Sequence, residues 1–267
     1  MEPEFTPATV PVYVPGHGLL KGRSVLITAA AGKGIGFAAA RRALEEGCRA
    51  LLISDVHERR LNEAVAALKE IAPEVQVTGQ LCNVTKDDEV RALVDRADAE
   101  LGGIDVLINN AGLGGLKPVA EMTDEEWFLV MDVTLNGTFR MTRAALNKMM
   151  PRRKGAIVNN ASVLGWRAQK GQAHYAAAKA GVMALTRCSA LEAAEYGIRI
   201  NAVSPSIAMH EFLKRSAPEE VLAGLARQEA FGRAAEVWEV ANVMMFLASD
   251  YASYMVGEVV SVSSQHA

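Results

Sequence analysis

The chain has 267 residues, of which half are hydrophobic, and a formal net charge of −3 at pH 7. This length suits one large domain or two small ones, and the apolar fraction is enough for a sizeable core. A near-neutral charge gives no support to binding of nucleic acid or of a membrane surface, and no apolar run is long enough to span a bilayer. The three cysteines, Cys48, Cys82 and Cys188, are widely spaced without a CxxC pair. They predict reduced thiols in a cytoplasmic protein and no metal site.

The first 20 residues are rich in proline, with Pro3, Pro7, Pro11 and Pro15. Proline fixes φ and lacks a backbone N–H, so residues 1–20 are predicted to form an extended arm without helix. No linker or internal repeat divides the remainder. Residues 21–267 are therefore expected to form one domain, with a helical insertion over the substrate site at about 208–230.

From residue 24 onward, short apolar runs alternate with amphipathic segments of helical length. Strands that alternate with helices of 10–15 residues indicate βαβ units and a parallel sheet. The predicted strands cover 24–28, 50–54, 75–81, 104–108, 156–158, 198–203 and 258–262. The predicted helices cover 37–46, 59–70, 87–101, 123–150, 174–195 and 236–248.

A glycine-rich turn follows the first predicted strand and leads into a helix. Glycines allow close backbone approach to a pyrophosphate, and the helix N-terminus supplies free N–H groups and a positive dipole end. This context predicts a dinucleotide site, although an ordinary tight turn between strand and helix has the same pattern. The candidate contacts are Thr28, Gly32, Lys33, Gly34, Ile35 and Gly36.

The second predicted strand ends in Asp55, about 20 residues beyond the glycine-rich turn. A carboxylate at this point accepts hydrogen bonds from the adenosine ribose and repels a 2′-phosphate, so NAD is predicted in preference to NADP. Lys33, His57, Arg59 and Arg60 oppose this interpretation, because each could pair with a phosphate. Asp55 carries more weight since the strand delivers its charge to the site. The alternative role for Asp55 is that of a helix N-cap.

Tyr175 and Lys179 lie four residues apart in a predicted helix, a spacing that places both side chains on one face. A neighbouring positive charge favours the ionised phenol and lowers its pKa from about 10 toward neutrality. Such a tyrosine can exchange a proton with an alcohol or a carbonyl oxygen. The pair alone is more typical of an exposed helix face, so its meaning depends on the rest of the chain.

Several motifs in one order make residues 22–262 similar to the short-chain dehydrogenase/reductase family. These are the loop ending Gly34–Ile35–Gly36, the run Asn109–Asn110–Ala111–Gly112, and Ser162, which lies 13 residues before the Tyr175-x-x-x-Lys179 pair. The resemblance implies a single Rossmann-type, doubly wound sheet of seven parallel strands with helices on both faces. It also implies a homotetramer or dimer, and a ligand at the carboxyl ends of the strands.

By this resemblance, Tyr175 is the general acid/base, Ser162 stabilises charge on the reacting oxygen, and Lys179 lowers the tyrosine pKa and holds the nicotinamide ribose. Asn110 would lie beneath the cofactor, and the backbone amide of Ala208 would orient its carboxamide. The remaining implied cofactor contacts flank the adenine or line the turn after the fourth strand: Asn83, Val84, Ala111 and Gly112.

The chain departs from the family pattern at several positions. Thr134 stands where the family has a catalytic asparagine that holds a relay water, and Asn136 follows two residues later. The role of that asparagine is therefore not assigned to Thr134. The glycine-rich loop is one residue longer than usual, with Ala29 after the threonine. The other departures are Asn83 for aspartate, Ser206 for glycine, His210 for threonine and Ser263–Ser264 for Asp-Gly.

The implied activity is NAD-dependent interconversion of a secondary alcohol and a ketone. Further stretches resemble dehydrogenases of bacterial steroid-ring breakdown and imply a bulky bicyclic acyl-CoA, a hydroxylated hexahydroindenone carboxyl-CoA thioester, as substrate. They cover residues 162–169, 204–208, 231–236 and 261–265. The candidate partners for the CoA phosphates, which are equally compatible with solvated surface charges, are Arg167, Lys214, Arg215 and Arg233.

Two other functions remain open from the sequence. An NADPH-dependent 3-oxoacyl thioester reductase would share every catalytic residue named above. A non-catalytic protein that binds a dinucleotide in order to sense it, or to assemble, is the alternative from another class. The intact set of Ser162, Tyr175 and Lys179 argues against the second alternative.

Overall fold

The computed structural model describes residues 6–216 and 219–264, without the side chains of residues 212, 215 and 216. In the described chain the strands are β1 (Ser24–Ile27), β2 (Ala50–Asp55), β3 (Gln76–Leu81), β4 (Val106–Asn109), β5 (Gly155–Asn160), β6 (Ile198–Pro205), β7 (Ala208–Met209), β8 (Ala235–Glu236) and β9 (Val259–Val262). The helices are α1 (Ile35–Glu45), α2 (Glu58–Ile71), α3 (Asp87–Glu100), α4 (Asp124–Met131), α5 (Gly137–Arg152), α6 (Ala173–Ala194), α7 (Glu211–Ser216), α8 (Glu219–Gln228) and α9 (Val237–Ala248).

Seven strands form one sheet in the order β3-β2-β1-β4-β5-β6-β9, and every neighbouring pair is parallel. The strand order reverses between β1 and β4, so the loops after these two strands diverge and leave a crevice at their carboxyl ends. This arrangement confirms the predicted doubly wound sheet. It also brings the glycine-rich loop after β1 beside the Asn110 turn after β4.

The sheet is covered on both faces, because side chains alternate across each strand. On β1, Val25 and Ile27 belong to a core with α1, α2 and α9, whereas Leu26 belongs to a second core with α3, α5 and α6. All three side chains are fully buried. A strand buried on both faces reads as a continuous apolar run, which is why these segments were recognisable in the sequence.

The helix predicted over 123–150 is interrupted. Thr123 caps α4 in a capping box with Glu126, but a π-turn over Asp132–Asn136 separates α4 from α5. Thr134 is fully buried in this π-turn, and Asn136 is exposed. The helical periodicity of the sequence gives no sign of the extra residue, since apolar positions continue on both sides of it.

The insertion predicted to be helical over 208–230 begins instead with the short strand β7. Ala208 and Met209 pair in parallel with Ala235 and Glu236 of β8, and only then do α7 and α8 follow. A two-residue pairing is too short to produce an alternating pattern in the sequence. Residues 217 and 218 of this insertion lie outside the described residues, as does Gln265.

Residues 6–18 contain neither helix nor strand, and they lie against α1 and α9 through Tyr13. Over residues 6–216 and 219–264, no helix is long and apolar enough to cross a bilayer. The same residues contain no group of three or more histidine, cysteine or acidic side chains that could hold a metal ion.

Candidate active site

Thr28 and Asn110 join the two loops at the crevice. The buried Thr28 hydroxyl accepts hydrogen bonds from the backbone N–H groups of Asn110 and Ala111, at 3.0 and 3.1 Å. The Asn110 side-chain amide donates to the Thr28 and Ala29 carbonyls, at 3.3 and 2.9 Å. The predicted cofactor residues of the first and fourth strands are therefore brought together. They form one fixed wall at the switch point of the sheet.

The N-terminus of α1 fits a pyrophosphate. Its N-cap residue, Gly34, makes no side-chain cap, and the first turn contains no acidic residue, so the free N–H groups are left for an anion. A Cβ on Gly34 would have only His210 Nδ1 nearby, at 3.9 Å, which leaves open space above the helix end. A Cβ on Gly36 would lie 2.4 Å from the Ala29 carbonyl oxygen. Gly36 thus allows the helix to approach the loop, and Gly34 allows a ligand to approach the helix.

The longer loop contains a strained residue at Ala29, whose φ is 51°. The left-handed region disfavours a side chain with a Cβ by roughly 1–2 kcal/mol. The Ala29 carbonyl accepts from Asn110, and the next residue, Ala30, donates to the Ser54 carbonyl at 3.0 Å. These hydrogen bonds hold Ala29 in place, while Gly32 takes the other positive φ of the loop, 89°.

Asp55 lies at the end of β2 and turns toward the glycine-rich loop. One carboxylate oxygen accepts from the Ala31 N–H at 3.2 Å, and the other accepts from the His57 N–H at 3.1 Å. Burial raises the pKa of Asp55, and the Ala31 hydrogen bond partly offsets this rise. The side chain is 9% exposed. Asp55 therefore stabilises the turn before α2 and presents its charge beside the loop. The N-cap of α2 is His57, so the alternative role of Asp55 as a helix N-cap is wrong, and its contact with the ribose stays a prediction.

Asn83 and Val84 lie after β3, and both have partners within the protein. The Asn83 side-chain oxygen accepts from the Thr85 N–H and hydroxyl, at 3.0 and 2.9 Å. Val84 is buried against Gly137, where a Cβ would lie 2.7 Å from a Val84 methyl group. Their predicted contact with adenine stays a prediction, since the structure explains both residues as turn and packing residues.

Ser162 and Tyr175 meet beyond the carboxyl end of β5. Ser162 begins the short turn Val163–Gly165, and its hydroxyl accepts from the Leu164 N–H at 3.2 Å. Tyr175 lies in the first turn of α6, and its ring packs against the backbone of Gly114. The Ser162 side chain lies close enough to the Tyr175 phenol to lower the pKa of that phenol by hydrogen bonding. One oxygen atom of a substrate could therefore contact both groups.

Lys179 lies one turn further along α6 and is 3% exposed. Its ammonium donates to the Asn160 carbonyl at 2.5 Å and lies 5.6 Å from the centre of the Tyr175 ring. The Asn160 side-chain amide donates in turn to the Asn110 side-chain oxygen at 3.0 Å. Asn160 thus connects Lys179 to Asn110, and through Asn110 to the wall at the switch point. Sequence reasoning did not single it out, and its place at the end of β5 was the available signal.

The pKa shifts of this pair differ from the predicted direction. Burial raises the pKa of Tyr175, and only its hydrogen bond with Ser162 opposes the rise. Burial also lowers the pKa of Lys179 to about 8. The net direction predicted for the Tyr175 pKa is therefore wrong for this structure, because removal from water disfavours the charged phenolate more strongly than its hydrogen bond with Ser162 favours it.

Thr134 and Asn136 do not occupy equivalent places. The Thr134 hydroxyl accepts from the Leu113 N–H at 2.9 Å and donates to the Leu113 carbonyl at 3.1 Å. A Cβ on Gly112 would lie 3.8 Å from the Thr134 methyl group and 3.3 Å from the Lys179 nitrogen. Asn136 donates to Asp132 on an exposed part of the π-turn instead. Thr134 therefore fixes the loop next to Lys179, and Asn136 takes no part.

Replacing Thr134 with alanine should leave the Leu113 N–H and carbonyl without partners. A buried polar group that loses its partner costs about 1–3 kcal/mol, so we expect a lower melting temperature and roughly a tenfold loss of kcat/KM from displacement of the loop. Thr134→Ser keeps the hydroxyl and is the matched control. Calorimetry and steady-state kinetics of both variants check this, and equal losses in the two would contradict it.

The fold and the site together define a short-chain dehydrogenase/reductase. A family model described as enoyl-(acyl carrier protein) reductase matches residues 29–264. The chain belongs to the short-chain dehydrogenase/reductase family, as its motifs predicted, and is an oxidoreductase that binds a nicotinamide dinucleotide.

Comparison with individual proteins gives a more specific likeness than the family model does. The chain is 61% identical over 260 residues to the (5R,7aS)-5-hydroxy-7a-methyl-1-oxo-2,3,5,6,7,7a-hexahydro-1H-indene-carboxyl-CoA reductase of Mycobacterium tuberculosis, which covers 97% of this chain and 98% of the relative. This confirms the predicted resemblance to a dehydrogenase of that chemical class. A short-chain dehydrogenase from Mycobacterium smegmatis is 56% identical, with a TM-score of 0.86 over 97% of this chain and 99% of that one. An NAD⁺-bound xylitol dehydrogenase is 30% identical, with a TM-score of 0.87 over 92% and 99%.

Proposed function

We propose that this protein is an NAD-dependent dehydrogenase that interconverts a secondary alcohol and a ketone on a bulky bicyclic acyl-CoA. The observation that carries the proposal is the convergence of Ser162, Tyr175 and Lys179 beside the dinucleotide loop. The substrate class is supported by the identity to the indene-carboxyl-CoA reductase.

The chain's own residues would act as follows in the oxidative direction. The Tyr175 oxygen takes the proton of the substrate hydroxyl, and the Ser162 hydroxyl holds the same oxygen and stabilises charge that develops on it. Lys179 holds the ribose of the cofactor and keeps a positive charge near the phenol. A bound nicotinamide supplies the acceptor for the hydride. Reduction of the ketone uses the same groups in reverse, with Tyr175 as the proton donor.

Preference for NAD is proposed from the position of Asp55. Its carboxylate lies next to the Ala31 N–H in the loop that would carry the adenosine half. A 2′-phosphate there would meet this negative charge in a partly buried place, where repulsion is weakly screened. Lys33 is exposed and shows no ion pair in the described part of the chain, so a phosphate in that place would have one cation within the loop. The buried acid outweighs the exposed lysine.

Replacing Asp55 with asparagine should shift this preference. The amide keeps the shape and one oxygen acceptor but removes the charge, so we expect the ratio of kcat/KM for NAD over NADP to fall by about 10- to 100-fold, or about 1.4–2.7 kcal/mol. Asp88→Asn, at an exposed acid of α3, is the control. Steady-state kinetics with both cofactors measure the ratio, and an unchanged ratio would refute the role of Asp55.

Exposed apolar side chains on the loops after β4 and β5 suit a bicyclic substrate. Leu116 and Trp166 are 59% and 52% exposed. Leu116 packs against Gly171, and the Lys117 N–H donates to the Gly171 carbonyl at 2.8 Å, so the loops after β4 and β5 run together beside the tyrosine. We assign these two exposed side chains to the walls of the ring-binding site.

Of the four candidate partners for the CoA phosphates, we favour one. Arg233 donates from both terminal nitrogens to Glu239, at 2.7 and 2.9 Å, and is thus already neutralised. Lys214 is exposed and 3.9 Å from Glu211 in the first turn of α7. The Arg215 side chain lies outside the described part of the chain, and Arg167 has a partner within the protein. Lys214 is therefore the candidate that we retain.

A substrate panel tests the proposal. NAD reduction would be measured with a hydroxylated hexahydroindenone carboxyl-CoA thioester, its free acid, a straight-chain 3-hydroxyacyl-CoA and simple cyclic alcohols, each with NAD and with NADP. We expect the highest kcat/KM for the bicyclic thioester with NAD. A preference for the straight chain with NADP would favour a 3-oxoacyl thioester reductase, and NAD binding without any turnover would favour a non-catalytic protein.

Self-association and cellular location are also part of the proposal. Phe128, Leu129 and Phe139 expose apolar surface along α4 and α5, which supports pairing with another copy. The three cysteines are free, as a reducing cytoplasm would keep them. Sedimentation of the purified protein should show a dimer or tetramer, and a monomer at micromolar concentration would contradict this.

A further inference from the structure

The N-terminal arm is anchored on α1 and α9 by an aromatic contact. The Tyr13 ring meets the Trp238 ring edge-on, with centroids 5.2 Å apart and planes at 71°. The guanidinium groups of Arg41 and Arg42 lie over the Tyr13 ring, at 5.4 and 5.5 Å from its centre. The Tyr13 hydroxyl donates to Glu45. Cation–π and hydrogen-bond contacts on one side chain thus join the arm to two helices.

A buried ion pair supports this anchor. Arg42 and Glu46 are 4% and 0% exposed and lie 2.8 Å apart. The Glu46 carboxylate accepts from the N–H groups of His17 and Leu19, at 2.8 and 2.9 Å, and Arg42 donates to the arm carbonyls of residues 14 and 15. Burial alone would raise the pKa of Glu46, yet these donors lower it. The backbone of the arm therefore satisfies charges that the helix alone leaves buried.

The arm makes a second contact just after the 208–230 insertion. The Ala8 N–H donates to the Phe231 carbonyl at 2.8 Å. Phe231 and Trp238 flank β8, which spans Ala235–Glu236. The arm consequently holds the segment that contains β8 at both of its ends, from one continuous piece of chain.

This segment supports a predicted cofactor contact. The Ala235 N–H donates to the Ile207 carbonyl at 2.9 Å, and Ala208 pairs with Ala235. Ala208 is the residue whose amide is predicted to orient the nicotinamide carboxamide, and it is 5% exposed. The contacts thus run from the arm to β8, from β8 to β7, and from β7 to the reacting end of the cofactor.

We propose that residues 8–13 act as a clamp that positions β8, and through β8 the Ala208 backbone at the nicotinamide site. The clamp includes positioning residues and no catalytic residue. This inference rests on the proposed function for its kinetic consequence, but its structural part concerns the chain alone. Release of the clamp should therefore loosen one strand pair without unfolding the sheet.

The matched variants are Ala8→Pro and Ala8→Ser. Proline removes the N–H that donates to Phe231, whereas serine keeps it, and proline suits an extended arm. Hydrogen exchange of the Ala235 amide reports the pairing of β8 with β7 directly, and the Ala38 amide, which donates to Gly34 at 3.0 Å, reports α1. For Ala8→Pro we expect exchange at Ala235 to be about tenfold faster, with Ala38 and the melting temperature unchanged.

We expect kcat/KM to be three- to tenfold lower for Ala8→Pro and to equal the wild-type value for Ala8→Ser. Tyr13→Ala releases the other end of the clamp and should also accelerate exchange at Ala235. Unchanged exchange at Ala235 in both Ala8→Pro and Tyr13→Ala would overturn the proposal, as would equal acceleration at Ala235 and Ala38. If the wild-type protein turns over no substrate, the proposed function fails, while the exchange data still decide whether the clamp exists.

Discussion

Replacing Tyr175 with phenylalanine is expected to lower kcat by about 10²–10⁴-fold while the dissociation constant for NAD changes less than about twofold. The substitution removes only the hydroxyl that exchanges the proton. The ring would keep its contact with Gly114, and Lys179 would keep its hydrogen bond to Asn160. Stopped-flow reduction of NAD and fluorescence titration with NAD measure the two quantities separately.

The pH profile gives this experiment a second readout. Alcohol oxidation requires the deprotonated phenol, and burial raises the pKa of Tyr175. The kcat/KM for oxidation should therefore rise with pH in the wild type, and the rise should disappear in Tyr175→Phe. Lys179 has a pKa of about 8, so its positive charge is present below that pH and is lost above it. The rise should then be less steep above pH 8, because the phenolate loses a neighbouring cation.

The fully exposed Tyr254 supplies the control, since Tyr254→Phe removes a phenol that lies in solvent. It should have wild-type kinetics. Tyr175→Phe with unchanged turnover would refute the role of Tyr175 as acid/base. Unchanged function in an assay of NAD sensing, with no turnover in the wild type, would instead favour the non-catalytic alternative.

Much of the fold could be predicted because its information is local. Residues 25–27 and 50–53 are apolar throughout, as expected for strands covered on both faces, and helices of ordinary length separate the strands. The candidate catalytic residues Ser162, Tyr175 and Lys179 were named from the family resemblance, and the structure places them together at the end of β5 and the start of α6. Gly34, Gly36 and Asp55 belong to a strand-turn-helix pattern that is equally local.

The parts that the sequence did not reveal depend on contacts between distant segments. The hydrogen bonds of Thr134 to Leu113 join residues 21 positions apart, and those of Asn160 join Lys179 to Asn110. No periodicity reports such pairs. The pKa direction of Tyr175 was wrong for a related reason, since sequence spacing shows a neighbouring charge but not the burial that outweighs it.

Gly36→Ala is expected to be the most damaging single-methyl change in the cofactor loop. The new Cβ would lie 2.4 Å from the Ala29 carbonyl oxygen and 2.4 Å from the Asn110 side-chain nitrogen. The Ala29 oxygen belongs to the backbone, so relief of the overlap would require the loop or the helix to shift, at a cost in stability. We expect a loss of about 2–3 kcal/mol in the free energy of unfolding, with a melting temperature lower by about 5–10 °C. Calorimetry measures both quantities.

Glycine-to-alanine changes at two other positions should have different effects: one should increase stability, and the other should weaken NAD binding only. Gly224 lies inside α8 with no atom within 4 Å of a new Cβ, so Gly224→Ala should stabilise the protein by about 0.5–1 kcal/mol.

Gly34→Ala has room within the protein, so its melting temperature should stay within about 1 °C while its dissociation constant for NAD rises about tenfold. Wild-type NAD affinity in Gly34→Ala would mean that the pyrophosphate does not lie on the N-terminus of α1. A stable Gly36→Ala would mean that the loop and the helix are less closely packed than the structure shows. Because the three glycines differ in what surrounds them, their different outcomes separate the packing role of the loop from its role in binding.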